Sequence, residues 1–285
     1  MIRRNLVAVV ATCSALAVGI ALGAGPLSDL DHAQSDERPQ SAGAGGDLSR
    51  RAALDERFIG DSAAALLAKR LSGQRVAVIA LPGVDADVVD GISTRIKSGG
   101  GTVTSVVRVA ASMLDPGRKT YLDELGSKLV PQLKGRVNAS LDTYARFGQI
   151  LGSAYGGKTA TGSFDAGQST AAKTMTTAKL ATVSGGKTPA TLLLVLVGKP
   201  VDPTALTGIV HGLGGASHAV VAAGPSSSTA LAALRRQGWG PWFASVDGVE
   251  TPTGQVAAAL VLARQVSQSG GNFGASGFGG LVDLR

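Results

Sequence analysis

Two pairs of carboxylates have a spacing that could support general acid–base chemistry. Asp85 and Asp87 follow one predicted strand, and Asp247 and Glu250 follow another. Neighbouring carboxylates can divide the roles of acid and base when their surroundings separate their pKa values. Each pair also lies at a predicted helix start, where carboxylates cap the helix and offset its dipole. Capping is the interpretation that we favour for both pairs.

The carboxyl end of the first predicted strand is a second place where residue types suggest binding. Pro82, Gly83 and Asp85 lie in the run LPGVDAD after this strand, and open α/β sheets bind ligands at the carboxyl ends of their strands. The run lacks the G-x-G-x-x-G glycines that admit a pyrophosphate. We favour a turn capped by Asp85, and we keep the three residues as candidate positions of a binding loop.

The run GSAYGGKT, Gly152–Thr159, matches the spacing of a phosphate-binding loop. Such a loop must leave a strand and open a helix. Here the preceding residues have a helical pattern and the following residues have a coil pattern. In a chain with 40 glycines, we interpret the match as coincidence.

The candidate ligands for a soft metal are few and widely spaced. Copper prefers thiolate, thioether and imidazole groups, and the chain after its first segment offers only His32, His211, His218, Met113 and Met175. None of them forms an H-x-H or M-x-x-M pair. His211 ends a predicted helix and His218 starts a strand, so these two could approach each other. We predict no metal site and no cofactor, and without a G-x-S-x-G turn we expect that the protein is not an enzyme.

The elements that would position these residues alternate between strand and helix patterns. Parallel strands are joined by crossover helices, so the alternation predicts an α/β fold with a Rossmann- or flavodoxin-like open parallel sheet of about five strands. We assign this domain to 73–285, with a helical insertion at 115–187 over one edge or face of the sheet. The five predicted strands lie at 75–81, 102–109, 191–197, 218–223 and 242–246.

The last predicted helix, 252–267, begins with Thr251 as its cap and Pro252 at its first position, where a missing N–H costs nothing. The tail GGNFGASGFGG is too glycine-rich to be regular, and we expect it at the surface.

The first segment of the chain, 1–28, has the length and composition of a membrane-spanning helix. No charge lies between Arg4 and Asp29, and such a run can cross a hydrocarbon core of about 30 Å. Arginines before it and acids after it predict a single-pass plasma-membrane protein with its body outside the cytoplasm. An uncleaved anchor is favoured over a cleaved signal because the apolar run exceeds the usual signal length. A flexible tether, 29–47, and an amphipathic helix, 48–72, would follow.

The composition of the chain limits which classes of partner and which covalent cross-links are possible. The formal charge is +7, but the lysines and arginines are scattered and do not form the basic runs with interleaved aromatics that track phosphates. We therefore expect no nucleic-acid partner. A basic body outside the cell could face anionic lipid or wall polymer. The simplest interpretation of the positive charge is a solvated surface. One cysteine excludes an intrachain disulfide.

Three motifs in order resemble the actinobacterial family called mycobacterial copper transport protein B. The first is L-G-A-G-P-L at Leu22–Leu27, and the second is the strand and loop at Val76–Gly83. The third is a V-D-x-V-[DE]-T-x-x-G-Q-V run into an Ala/Leu helix, followed by G-x-[FY]-G. The resemblance makes the following positions of the third motif candidate binding residues: Asp247, Glu250, Thr251, Gly254, Gln255, Phe273 and Gly274.

The resemblance implies copper transport or export and copper homeostasis at the cell envelope. Relatives tend to have a longer coiled coil where this chain has the helix 48–72. The predicted strands are uniformly apolar, whereas the strands of an outer-membrane channel alternate apolar and polar residues, so we do not expect a pore built from them. The alternative function is a non-enzymatic scaffold or binding module for wall assembly or division; an extracytoplasmic hydrolase is weaker. The expected partners are the membrane and, as open options, another envelope protein or a second copy of the chain.

Overall fold

The computed structural model describes residues 41–159, 162–198 and 200–280. The chain divides into two compact units, Met1–Arg50 and Arg51–Arg285. The predicted membrane segment 1–28 lies outside the described residues, as does the 29–40 part of the tether. None of the described helices combines the length and the apolarity that a membrane crossing requires.

The first helix of the described residues, α1 (Ser41–Leu67), covers a different range from the predicted amphipathic helix 48–72. Residues 41–47, which we expected in the tether, form its beginning. A helix extends at little cost once it is nucleated, so its start is poorly marked by hydrophobic pattern. Beyond its end, Lys69 adopts a left-handed conformation with φ 59°, which is a common way to leave a helix.

The apolar face of α1 is only partly covered. Ala63 and Leu67 are fully buried, whereas Leu54 and Phe58 are 67% and 62% exposed. The helix therefore packs on the sheet through its C-terminal part.

The remaining elements follow in a mixed α/β order. The strands are β1 (Arg75–Ala80), β2 (Thr102–Val109), β3 (Ala181–Gly185), β4 (Leu192–Leu196), β5 (Ala219–Gly224), β6 (Phe243–Asp247) and β7 (Gly271–Phe273). The helices after α1 are α2 (Ala86–Ser98), α3 (Lys119–Leu129), α4 (Thr143–Tyr155), α5 (Ala166–Thr177), α6 (Pro203–Ala216), α7 (Thr229–Arg235) and α8 (Pro252–Arg264).

The described strands form one sheet in the order β3-β2-β1-β4-β5-β6-β7. β3 pairs antiparallel with β2, and every other pairing is parallel. The α/β class and the mainly parallel sheet agree with the sequence prediction, and β1, β2, β4, β5 and β6 are the five predicted strands. The prediction of about five was too low because both edge strands were missed.

The two missed strands lie where the sequence predicted something else. β3 lies inside the predicted helical insertion 115–187, after the helix α5, which ends at Thr177. β7 lies in the tail that we expected to be irregular. β3 is exposed at four of its five residues and β7 is glycine-containing, so neither has the apolar run of a central strand.

Helices bury the sheet on both faces. Ala77 and Ile79 of β1 belong to one hydrophobic cluster and Val76 and Val78 to the other, as the twofold repeat of a strand requires. Helices α3 to α7 cover the first face; α2, α8 and the end of α1 cover the second. The helices of the predicted insertion therefore cover a face.

The crossing of α4 over α6 depends on glycine. A Cβ on Gly148 would overlap the carbonyl group of Ile209, and a Cβ on Gly212 would overlap that of Ala145. The two helix backbones therefore approach more closely than any larger residue would allow.

Candidate functional site

A cleft of about 190 Å³ opens at the carboxyl ends of the neighbouring strands β1 and β4. The helices that follow these strands cover opposite faces of the sheet, α2 one face and α6 the other. Open α/β sheets bind ligands at such a switch point. The cleft has an apolar wall, which includes Val84, Val88 and Val249, and two exposed carboxylates, Asp85 and Glu250.

The cleft joins segments that are far apart in sequence. Gly83 comes from the loop after β1, and Val249 and Glu250 come from the loop after β6. Both loops were singled out from the sequence for different reasons. The structure brings these candidate residues into one site.

Glycines allow the β1 and β4 loops to meet beneath the cleft. Gly83 has a φ of +83°, which favours glycine. A Cβ on Gly198 would lie 2.5 Å from the carbonyl carbon of Gly83 and 2.7 Å from the carbonyl oxygen of Pro82. Pro82 thus lies at this loop contact, beside the cleft.

Asp85 does not cap α2 in the predicted way. It stands at the N-cap position with an extended backbone, but its side chain accepts no capping hydrogen bond. The carboxylate is exposed at the cleft instead. The sequence identified the helix start correctly and assigned the wrong partner to the side chain, because solvent competes with the backbone for an exposed carboxylate.

Glu250 joins two loops at the carboxyl edge. Ser226 donates to its carboxylate from the backbone nitrogen at 3.1 Å and from Oγ at 2.5 Å. Burial raises the pKa of Glu250, but the hydrogen bonds from Ser226 outweigh this and hold the pKa below its ordinary value. The side chain of Glu250 is therefore ionised at neutral pH and places a negative charge at the cleft.

Asp247 is buried and holds the C-terminal tail. It accepts hydrogen bonds from the backbone nitrogens of Ala275 at 2.6 Å and Ser276 at 3.1 Å, from the Ser276 hydroxyl, and from Arg235 Nη1 at 2.9 Å. Burial raises its pKa, but Ser276 and Arg235 more than offset this and the pKa lies below its ordinary value. Asp247 and Glu250 thus have separate hydrogen-bond partners.

Thr251, Gly254 and Gln255 build the start of α8. Thr251 Oγ1 accepts from the Gly254 nitrogen at 3.1 Å and donates to the Gly248 carbonyl at 2.9 Å, so the predicted cap is confirmed. Gln255 Nε2 donates to the Val249 carbonyl at 3.3 Å. These three residues position the loop that carries Glu250.

Phe273 is the last residue of the edge strand β7, and Gly274 follows it. Phe273 is buried, and the Arg264 guanidinium lies 5.6 Å from the centre of its ring. Gly274 has a φ of +101°, and a Cβ there would overlap the Asp247 carboxylate. Both residues therefore have structural roles beside Asp247.

Arg235 is a residue of this network that the sequence analysis missed. Its Nε donates to Ser245 Oγ at 2.8 Å and its Nη2 to the Phe273 carbonyl at 2.6 Å. One signal was available: Arg235 follows the apolar run TALAAL of α7. A charge at that position suggests a buried partner but does not identify it.

Of the candidate metal ligands, His32 lies outside the described residues, and the four described ones are occupied by packing or hydrogen bonds. Met113 and Met175 are fully buried in the core. His211 stacks with Trp239 at a centroid distance of 6.5 Å, and His218 Nε2 lies 3.0 Å from the Val266 carbonyl. The part of the chain that the structure describes contains no group of three or more His, Cys, Asp or Glu residues arranged to hold a metal ion.

The glycine-rich match at Gly152–Thr159 begins inside α4, which ends at Tyr155. It therefore does not follow a strand, as a phosphate-binding loop must.

Comparison with known proteins gives one result for almost the whole chain. The sequence model of a protein family described as "Copper transport outer membrane protein, MctB" matches residues 1–278. A comparison with curated proteins finds no match. The matched range contains the first segment, the cleft and the network around Asp247.

Proposed function

The chain belongs to the family of copper transport outer membrane proteins, MctB, and from this premise we propose that it is a cell-envelope protein acting in copper transport and copper homeostasis. The family match over residues 1–278 is the observation that carries the proposal. For the cellular arrangement we propose a single anchor at 1–28 in the plasma membrane with the body outside the cytoplasm. The charge distribution around that segment supports this orientation.

The described body would contribute binding and positioning to copper transport. Copper is the cargo, and the soft side chains of the described residues that could hold it are committed to the core, to an aromatic stack or to a backbone carbonyl. The switch-point cleft is instead available to a ligand or partner. We propose that the body acts through this cleft and without enzymatic chemistry.

Deletion of the gene tests the copper role. We expect the deletion strain to contain more copper than the parent, measured by elemental analysis of washed cells, and to be more sensitive to added copper. The wild-type gene should restore both properties. Unchanged copper content would contradict the role.

A cleft variant tests whether the cleft takes part. Val84→Phe fills the cleft with an apolar side chain, and Val183→Phe is a matched control on the exposed strand β3. We expect Val183→Phe to restore copper content in the deletion strain and Val84→Phe to fail. If both restore it, the copper role stands and the cleft is not needed for it.

A second candidate function is a non-enzymatic binding module for wall assembly or division. The convergence of two distant loops at one cleft favours it. It predicts that another envelope protein co-purifies with the wild-type chain and with Val183→Phe but not with Val84→Phe, and that deletion produces wall defects without a change in copper content.

A further inference from the structure

A second concave site lies away from the switch-point cleft, on the face covered by α4 and α6. It is a groove of about 480 Å³ between the start of α4, one side of α6 and the turn that follows α7. Two aromatic side chains, Trp239 and His211, line it together with polar groups from all three segments. The proposed copper role uses none of these residues.

The indole ring of Trp239 is held in place before any ligand arrives. Its Nε1 donates to the Leu234 carbonyl at 2.7 Å. Its ring lies 5.4 Å from that of Trp242 and 5.2 Å from that of Phe243, and the His211 ring lies within 30° of parallel to it. A ring fixed in this way contributes contact area to a ligand at little entropic cost.

Polar groups surround these rings. Thr204, Thr207 and His211 follow one another at the spacing of one helix face on α6, and Gln237 lies across the groove. Asp142 stands at the start of α4, where its Oδ1 accepts from the backbone nitrogens of residues 144 and 145. Hydroxyl and amide groups both donate and accept hydrogen bonds, so the groove can satisfy a ligand rich in hydroxyl groups.

The charge of the groove excludes one large ligand class. Of the described residues that line it, none is lysine or arginine, and Asp142 adds a negative charge. A phosphate or carboxylate ligand would find no counter-charge there. An anionic ligand is therefore disfavoured, and the aromatic rings together with the hydroxyl and amide groups suit a neutral, hydroxyl-rich ligand that is apolar on one face.

We propose that this groove binds a neutral pyranose saccharide. The C–H groups on one face of a pyranose ring are attracted to the negative face of an aromatic ring, while its hydroxyls pair with the threonines, Gln237 and Asp142. The groove volume is in the range of small-molecule sites, about 300 to 1,000 Å³. The same chemistry is present in a polysaccharide of the cell wall and in a free oligosaccharide.

Titration of the full-length chain with cellotetraose and chitotetraose tests the proposal. The chain has two tryptophans, so a change in tryptophan emission reports on Trp239 and Trp242 alone. The detergent must lack a sugar head group, which would compete for the groove. We expect saturable binding of at least one tetrasaccharide, seen by fluorescence and by calorimetry.

The variant Thr207→Val tests whether the saccharide binds in this groove. It keeps the shape of the side chain and removes its hydroxyl, so we expect affinity to fall about five- to tenfold, as for one lost hydrogen bond. Thr170→Val, at an exposed position of α5, should bind like the wild type. Trp239→Ala should abolish binding, with circular dichroism as the check on its fold.

Co-sedimentation with purified insoluble wall polysaccharide distinguishes the two sources. Retention of the chain in the pellet, released by the binding tetrasaccharide, supports the wall polymer as ligand; tetrasaccharide binding without retention supports a free oligosaccharide. The proposal is overturned if neither tetrasaccharide nor wall polysaccharide binds. It is also overturned if Thr207→Val binds as tightly as Thr170→Val.

Discussion

Asp247 gives the sharpest prediction at the scale of a single residue. Its side chain is 1% exposed and that of Arg235 is 11% exposed, so removing its charge leaves Arg235 buried beside a weaker partner. We expect Asp247→Asn to lower the free energy of unfolding at pH 7 by about 3 kcal/mol, measured by urea denaturation. Asp90→Asn, at an exposed position of α2, is the matched control and should have little effect.

The same variant should show a defined pH dependence. The pKa of Asp247 is lower in the folded chain than in the unfolded chain, so its stabilising contribution is complete above the unfolded pKa of about 3.9. The contribution is lost as pH falls through the folded pKa. The difference between wild type and Asp247→Asn should therefore shrink below about pH 4. A difference that stays constant from pH 7 to pH 3 would contradict this role.

Residue roles were predictable where the partner is local. Thr251 and Pro252 identify a helix start within a few residues, and the cap is found as expected. The partners of Asp247 come from Arg235 and from a tail almost 30 residues later, so no local pattern encodes them. Asp85 shows that even a local role can be predicted wrongly, since an exposed side chain at a cap position can be hydrated by solvent and make no capping hydrogen bond.

At the scale of elements, the crossing of α4 and α6 should be the least tolerant of added volume. We expect Gly148→Ala to lower the free energy of unfolding by about 2 kcal/mol, because its Cβ would overlap backbone that cannot move aside cheaply. Gly60→Ala in α1 is the matched control: nothing lies within 4 Å of its Cβ, so it should raise helix stability by about 0.5 kcal/mol. Both are measured by urea denaturation. Equal effects of the two substitutions would show that the crossing is loosely packed.

The sequence predicted elements well where burial leaves a pattern. The five central strands are continuous apolar runs because both faces of a parallel sheet are buried. β3 and β7 are held by backbone pairing at the two edges, which places little demand on side chains. The boundaries of α1 were missed for a related reason, since helix ends depend on contacts that a periodic pattern does not contain.

For the whole molecule, the location of the cleft could be predicted from the sheet topology, but the residues that line the cleft could not. A parallel sheet sends the carboxyl ends of its strands to one edge, so Gly83 and Glu250 could be expected at the same edge. The groove beside Trp239 could not be expected, because it depends on how closely α4 and α6 approach. That distance is set by glycines whose packing role is visible only in the structure.

A chain with a single engineered cysteine tests the orientation of the body relative to the membrane. The sequence has one cysteine, Cys13, so Cys13→Ser with Ser227→Cys places one thiol in the exposed loop after β5. Arg3 and Arg4 precede the apolar segment and acids follow it, which favours a cytoplasmic N-terminus and an outer body.

We expect a membrane-impermeant maleimide to label Ser227→Cys in intact protoplasts, while a cytosolic control protein is labelled only after lysis. Labelled chain in the membrane fraction indicates a retained anchor, and labelled chain in the medium indicates a cleaved signal. Labelling of Ser227→Cys only after lysis would place the body in the cytoplasm and would contradict the proposed arrangement.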